Sequence, residues 1–127
     1  MRYVVDSAKT VDQAAADLEQ SVAKHGFGVL HIHDLKATLH SKGIEFPNEC
    51  RIFEVCNPQK AVEVLSEDME MNMALPCRIS VYEENGKTRI GTILPTAILG
   101  MLSDSEKLKG VAQEVEDTSI RIINDAA

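Results

Sequence analysis

The chain has 127 residues, 44% hydrophobic and 26% charged, and carries a net charge of −7. That length suits a single domain, residues 1–127, with one core of its own. The acidic balance argues against nucleic acid and against an anionic membrane surface as partners. With 4% aromatics and no Trp, the core must be aliphatic.

Tyr3-Val4-Val5 reads as a first strand. Thr10-Val-Asp-Gln13 has the spacing of a capping box, in which Thr10 and Gln13 satisfy each other's free amides. Val11, Ala14, Ala15, Leu18 and Val22 recur at helical spacing, and Gly26 can take the left-handed position that closes the helix. Phe27 to Asp34 then alternates, with Leu30 and Ile32 on one side and Val29, His31 and His33 on the other. Asp34 can cap a short helix over Leu35 to Ser41, closed by Lys42-Gly43.

Arg51 to Cys56 reads as the next strand, with Phe53 and Val55 on one face and Ile52, Glu54 and Cys56 on the other. Asn57-Pro58 opens a short amphipathic helix carrying Ala61, Val62, Val64 and Leu65. Asp68 to Pro76 is irregular; Met69, Met71 and Met73 alternate there with Glu70 and Asn72, as in a half-buried extended segment. Such a Met segment suits packing or a dimer contact better than Cu(I) binding. Cys77 to Tyr82 and Thr88 to Leu94 read as a hairpin turned at Asn85-Gly86. Pro95 to Leu99 forms a helical turn that Gly100 can end. Ser103-Asp-Ser-Glu106 repeats the capping-box spacing ahead of a long amphipathic helix through Ile122.

The element order is β-α-β-β-β-β-α plus short inserted helices. We expect an α+β fold: a mostly antiparallel sheet of about five strands, with two main helices on one face. In element order it is similar to the TATA-binding-protein-like or helix-grip class.

Three cysteines carry the sharpest chemistry. Cys56 immediately precedes the Asn57-Pro58 helix start, where free amides can favour a thiolate; the alternative is a small apolar residue at a strand end. Cys77 opens the following strand. If the two strands are antiparallel, both thiols lie at one end of the sheet, although alternation sets them on opposite faces. Cys50, six residues before Cys56, is ~20 Å away along a strand, so we read it as structural. An odd cysteine number, no secretory-type leader and no long apolar run lead us to expect a cytoplasmic protein with reduced thiols.

His31-Ile-His33 projects two imidazoles from one strand face, a spacing found in some metal sites. Glu54 and Cys56 can share that face if the strands are neighbours, with Arg78, Ser80 and Tyr82 joining from the next strand. The alternative is a solvated or dimer-facing surface. Phosphate loops, Ser-His-Asp patterns, zinc-ribbon spacing and Cys-x-x-Cys are all missing from the chain.

The segments His31-Ile-His-Asp-Leu-Lys-Ala-Thr-Leu39, Cys50-Arg-Ile-Phe-Glu-Val-Cys-Asn-Pro58 and Leu75-Pro-Cys-Arg-Ile-Ser-Val-Tyr-Glu83 resemble the family known as domain of unknown function 302. The resemblance spans nearly the whole chain. It implies a compact α+β domain and a homodimer, and it supplies no reaction, cofactor or catalytic residue.

The first expectation is a small binding domain that holds a small ligand or metal ion at the polar sheet face or the Cys56 edge. Its candidate contacts are His31, His33, Glu54, Cys56 and Cys77, with His31, His33 and Cys56 as metal ligands. A thiol-dependent enzyme or redox sensor, with Cys56 as thiolate and Cys77 as resolving thiol, is the second. The third is a structural dimerisation module seamed along the outer sheet face through His31 and Ser80.

Overall fold

Alternating apolar residues build five strands, β1 (Arg2–Ser7), β2 (Gly28–Asp34), β3 (Cys50–Cys56), β4 (Cys77–Glu84) and β5 (Lys87–Ile93). They form one sheet in the order β1-β5-β4-β3-β2, and every neighbouring pair is antiparallel. The computed structural model describes residues Met1–Ala127.

One face of the sheet is closed. Phe53, Val55, Ile79, Val81 and Ile90 point into it and are at most 1% exposed. Two helices cover them, α1 (Val11–Lys24) and α5 (Glu106–Ala126). The α1 cap forms as the spacing implies: Gln13 N donates to Thr10 Oγ1 at 3.1 Å, and Thr10 N to Gln13 Oε1 at 3.3 Å. Ala14, Leu18 and Val22 are fully buried, and Ser21 Oγ donates to Ile122 O at 2.8 Å, tying α1 to α5. The expected α+β architecture is therefore the observed one.

The other face carries no main helix. The register lays its side chains out in rows across the strands. One row holds His31, Glu54 and Arg78; the next holds His33, Ile52, Ser80, Gly91 and Val4. Gly91 is needed there, because a Cβ on it would sit 2.9 Å from Val4 Cγ2. At the hairpin, Asn85 (φ 53°) and Gly86 (φ 75°) both take left-handed backbone, as a tight two-residue turn requires.

Four shorter helical pieces complete the chain: α2 (Leu35–Ser41), α3 (Pro58–Glu67), a 3-10 segment (Met69–Ala74) and α4 (Pro95–Leu102). Asp34 caps α2, accepting from Ala37 N at 3.0 Å.

Several local expectations are corrected. The β2–β3 register shifts between Val29 and His31. This bulge turns Val29 to the core side with Ile32, and leaves Leu30 61% exposed. The Met segment is 3-10 rather than extended. A three-residue repeat separates its methionines, so Met71 is 2% exposed while Met69 and Met73 are 64% and 76% exposed. Gly100 does not end α4, which runs on to Leu102. Val62 points away from the core, and only Val64 of α3 is fully buried. The long helix is capped by Ser105, which accepts from Leu108 N at 3.3 Å. Glu106 is thereby the first helical residue, and a capping box with Ser103 cannot form.

Candidate functional site

The C-terminal ends of β3 and β5 and the N-terminal ends of β4 and β1 meet at one end of the sheet. Two helices leave from it. Asn57 caps α3, its Oδ1 accepting from Gln59 N at 3.1 Å and Lys60 N at 3.3 Å. Pro58 and Pro95 each open a helix where a missing N–H costs nothing. Leu94, the residue before α4, has no capping side chain. Glu116 on α5 supplies the cap instead: Thr96 N and Thr96 Oγ1 donate to its Oε1 at 3.2 and 2.5 Å. That pairing explains how a carboxylate can be only 9% exposed.

These helices and the 3-10 segment stand off from the strand ends and leave a cleft of about 960 Å³. It runs from the open face (Val4, Ile52, Tyr82) past the strand ends to Val64, Ile98 and Leu99 on the helical side. Of its 31 lining residues, 20 are hydrophobic, so its surface suits an apolar body better than a charged one. The Leu75–Pro76 bond in its wall is cis.

Cys56 and Cys77 both line this cleft. They lie at the same sheet end and on opposite faces, as alternation implies: Cys77 faces Val55 in the register, one residue from Cys56. All three cysteines are free thiols. Burial, and secondarily the neighbouring Cys56, push the Cys77 thiol up to about 11. Cys50 sits at the opposite end of the strands, opposite Tyr82, and burial raises its thiol too, with Asp34 adding to the rise. The amides at the start of α3 that could stabilise a Cys56 thiolate are already taken by Asn57.

His31, His33 and Glu54 form a separate group on the open face, outside the cleft lining. His33 Nε2 donates to Glu54 Oε1 at 2.5 Å, and the two imidazoles meet edge to face with centroids 4.4 Å apart. The His33 hydrogen bond holds the Glu54 carboxyl below the usual carboxylate range, with the charges of His33, Arg78 and His31 adding to it. No group of three or more His, Cys, Asp and Glu side chains is arranged to hold a metal ion. No helix is long and apolar enough to cross a membrane.

Residues 3–126 match the family model described as "Domain of unknown function DUF302". The chain belongs to the DUF302 family. Its fold is similar to the crystal structure of an uncharacterized conserved DUF302 protein from Bacillus stearothermophilus. The TM-score is 0.94 at 36% identity, covering 99% of this chain and 98% of that one. No curated protein matches the chain.

Of the three segments that carry the family resemblance, those at Cys50–Pro58 and Leu75–Glu83 contribute to the cleft wall and that at His31–Leu39 does not. Cys56 and Cys77 belong to its wall, whereas the His31–His33–Glu54 group does not. The residues that sequence reasoning missed are those of α4 and α5, including Ile98, Leu99 and Val111. One signal was available: Pro95 to Leu102 has no charged residue, yet Met101 and Leu102 are 75% and 52% exposed. A short helix that is apolar all round and incompletely buried marks a surface with something to cover.

Proposed function

We propose that this DUF302 chain is a binding domain that takes a small, largely apolar molecule into the cleft at the strand ends. The cleft itself carries the reading. Its volume falls within the range of small-molecule sites, and its walls are mainly aliphatic. The ligand would lie over Cys56 and Cys77 and against α3 and α4. His31, His33 and Glu54 then serve the open face, not the ligand.

The test uses an uncharged fluorescent probe, N-phenyl-1-naphthylamine, whose emission rises in apolar surroundings. The chain has no Trp to interfere. Saturable uptake of one probe per chain is expected, together with weakened uptake in Ala61→Phe, which places a ring into the cleft from α3. Fluorescence that rises without saturating, or is indifferent to Ala61→Phe, would sink the reading. The homodimer implied by the family is a further part of this proposal, and light scattering reads it directly.

A further inference from the structure

The cleft has a positively charged rim, while Lys42, Lys87 and Arg121, the other cations without an ion pair, lie outside its lining. Of the 13 Lys and Arg residues in the chain, most sit within 4 Å of a carboxylate. Lys60 pairs with Glu114 and Glu63, and Arg89 with Asp6 and Glu84. Arg2 and Arg78 do not. Both are exposed, neither makes a side-chain hydrogen bond or ion pair, and both line the cleft.

The register shows why they belong together. Arg2 faces Ile93, and one non-adjacent step beyond the Ser80–Gly91 pair brings Arg78 to the other side of Ile93. The two arginines therefore flank one apolar residue on the open face, about 10 Å apart at the backbone. Arginine side chains are long enough to converge from there on one anion. Glu54, directly across from Arg78 in the same row, feels the Arg78 charge but is hydrogen-bonded by His33 and makes no ion pair with Arg78. The one acidic residue in the lining is Glu70, on the 3-10 segment. With Lys60 neutralised by its own partners, the free charges are two cations against one anion, in a chain of net charge −7.

We infer that the ligand is an amphipathic monocarboxylate. Its apolar chain or ring lies in the cleft under α3 and α4, and its carboxylate is gripped by Arg2 and Arg78 at the open-face mouth. This inference rests on the binding function proposed above and names its ligand class. The uneven rim carries it: an apolar trough closed by two unpaired guanidiniums favours an anion that has a greasy body.

The experiment is displacement of N-phenyl-1-naphthylamine by decanoate and by decan-1-ol, which share a chain and differ in the head. Decanoate is expected to displace the probe at a concentration lower by about tenfold or more, the worth of one charge-assisted contact. That ratio should fall toward one in Arg2→Gln/Arg78→Gln, and it should shrink with added salt. Lys87→Gln removes another unpaired cation, on the hairpin, and should leave the ratio as in the parent chain. Equal displacement by the two heads, with probe binding intact, would overturn the carboxylate inference and leave the apolar binding function standing. Failure of the probe to bind at all would overturn both. So would uptake seen only on dilution to monomer, which would mean that a second copy fills the cleft.

Discussion

The middle of the sheet and its strand ends are built from the same five strands and behave differently. In the middle, Phe53, Ile79, Val81 and Ile90 meet Leu18 and Val22 of α1 and Ile122 of α5, and none is more than 1% exposed. At the strand ends, α3, the 3-10 segment and α4 bring comparable aliphatic residues together and leave about 960 Å³ between them. Two long amphipathic helices can lie along a sheet and interdigitate with it over several turns. Three short pieces, two leaving strand ends and one leading back into β4, meet the sheet only with their tips, so they enclose space instead of filling it. A folding core and a binding cleft can thus arise from one composition, separated by helix length and direction.

The largest test of that contrast is truncation. Phe53→Ala should cost about 3–5 kcal/mol, a large part of a small domain's stability. Ile98→Ala, which faces existing space, should cost only about 1 kcal/mol. Urea unfolding followed by circular dichroism measures both, and equal losses would remove the distinction between the regions.

Thiol chemistry comes next. Cys77 is pushed up to about 11 by burial, so at mildly alkaline pH it holds roughly 100-fold less thiolate than an ordinary cysteine. Iodoacetamide should therefore label it far more slowly in the folded protein than in urea, as mass spectrometry of timed samples would show. Rapid labelling of Cys77 in the folded chain would revive a redox role for the pair.

A smaller effect concerns how the two regions are joined. Glu116→Ala removes the only side chain that caps α4 and should cost about 1 kcal/mol, the ordinary worth of a cap. It should also weaken probe uptake by loosening the wall of the cleft. Glu116→Gln, which keeps an acceptor for Thr96, should restore most of both.

The smallest expected effect lies on the open face. Because His33 lowers the Glu54 pKa in the folded state, the bond stabilises the fold above the ordinary carboxylate range. That contribution is lost as the pH falls through the folded-state value. His33→Gln should move the Glu54 carboxyl titration back up, measurable by carbon-detected NMR. It should also make the acid-side decline in stability shallower, without altering probe uptake in the cleft.

The sequence by itself determined what is local. Thr10 and Gln13 are three residues apart, Asn85 and Gly86 are adjacent, and Asn57 precedes Pro58; each motif forms from neighbours along the chain, so each was legible. Alternation likewise assigned Phe53 and Val55 to the core and Cys56 and Cys77 to opposite faces. It failed where geometry broke the period: the bulge at Leu30 and the 3-10 turn through the methionines both depend on what the segment packs against. The cleft was not legible, because its wall joins Val4, Ser80 and Gly91 from three strands to Leu99 and Val111 from two helices. Nor was the partner of α4, since Thr96 and Glu116 are twenty residues apart. Arg2 and Arg78 flank Ile93 only because β5 lies between β1 and β4. Local patterns specify elements and faces; strand order and the direction in which helices leave the sheet decide which side chains share a site.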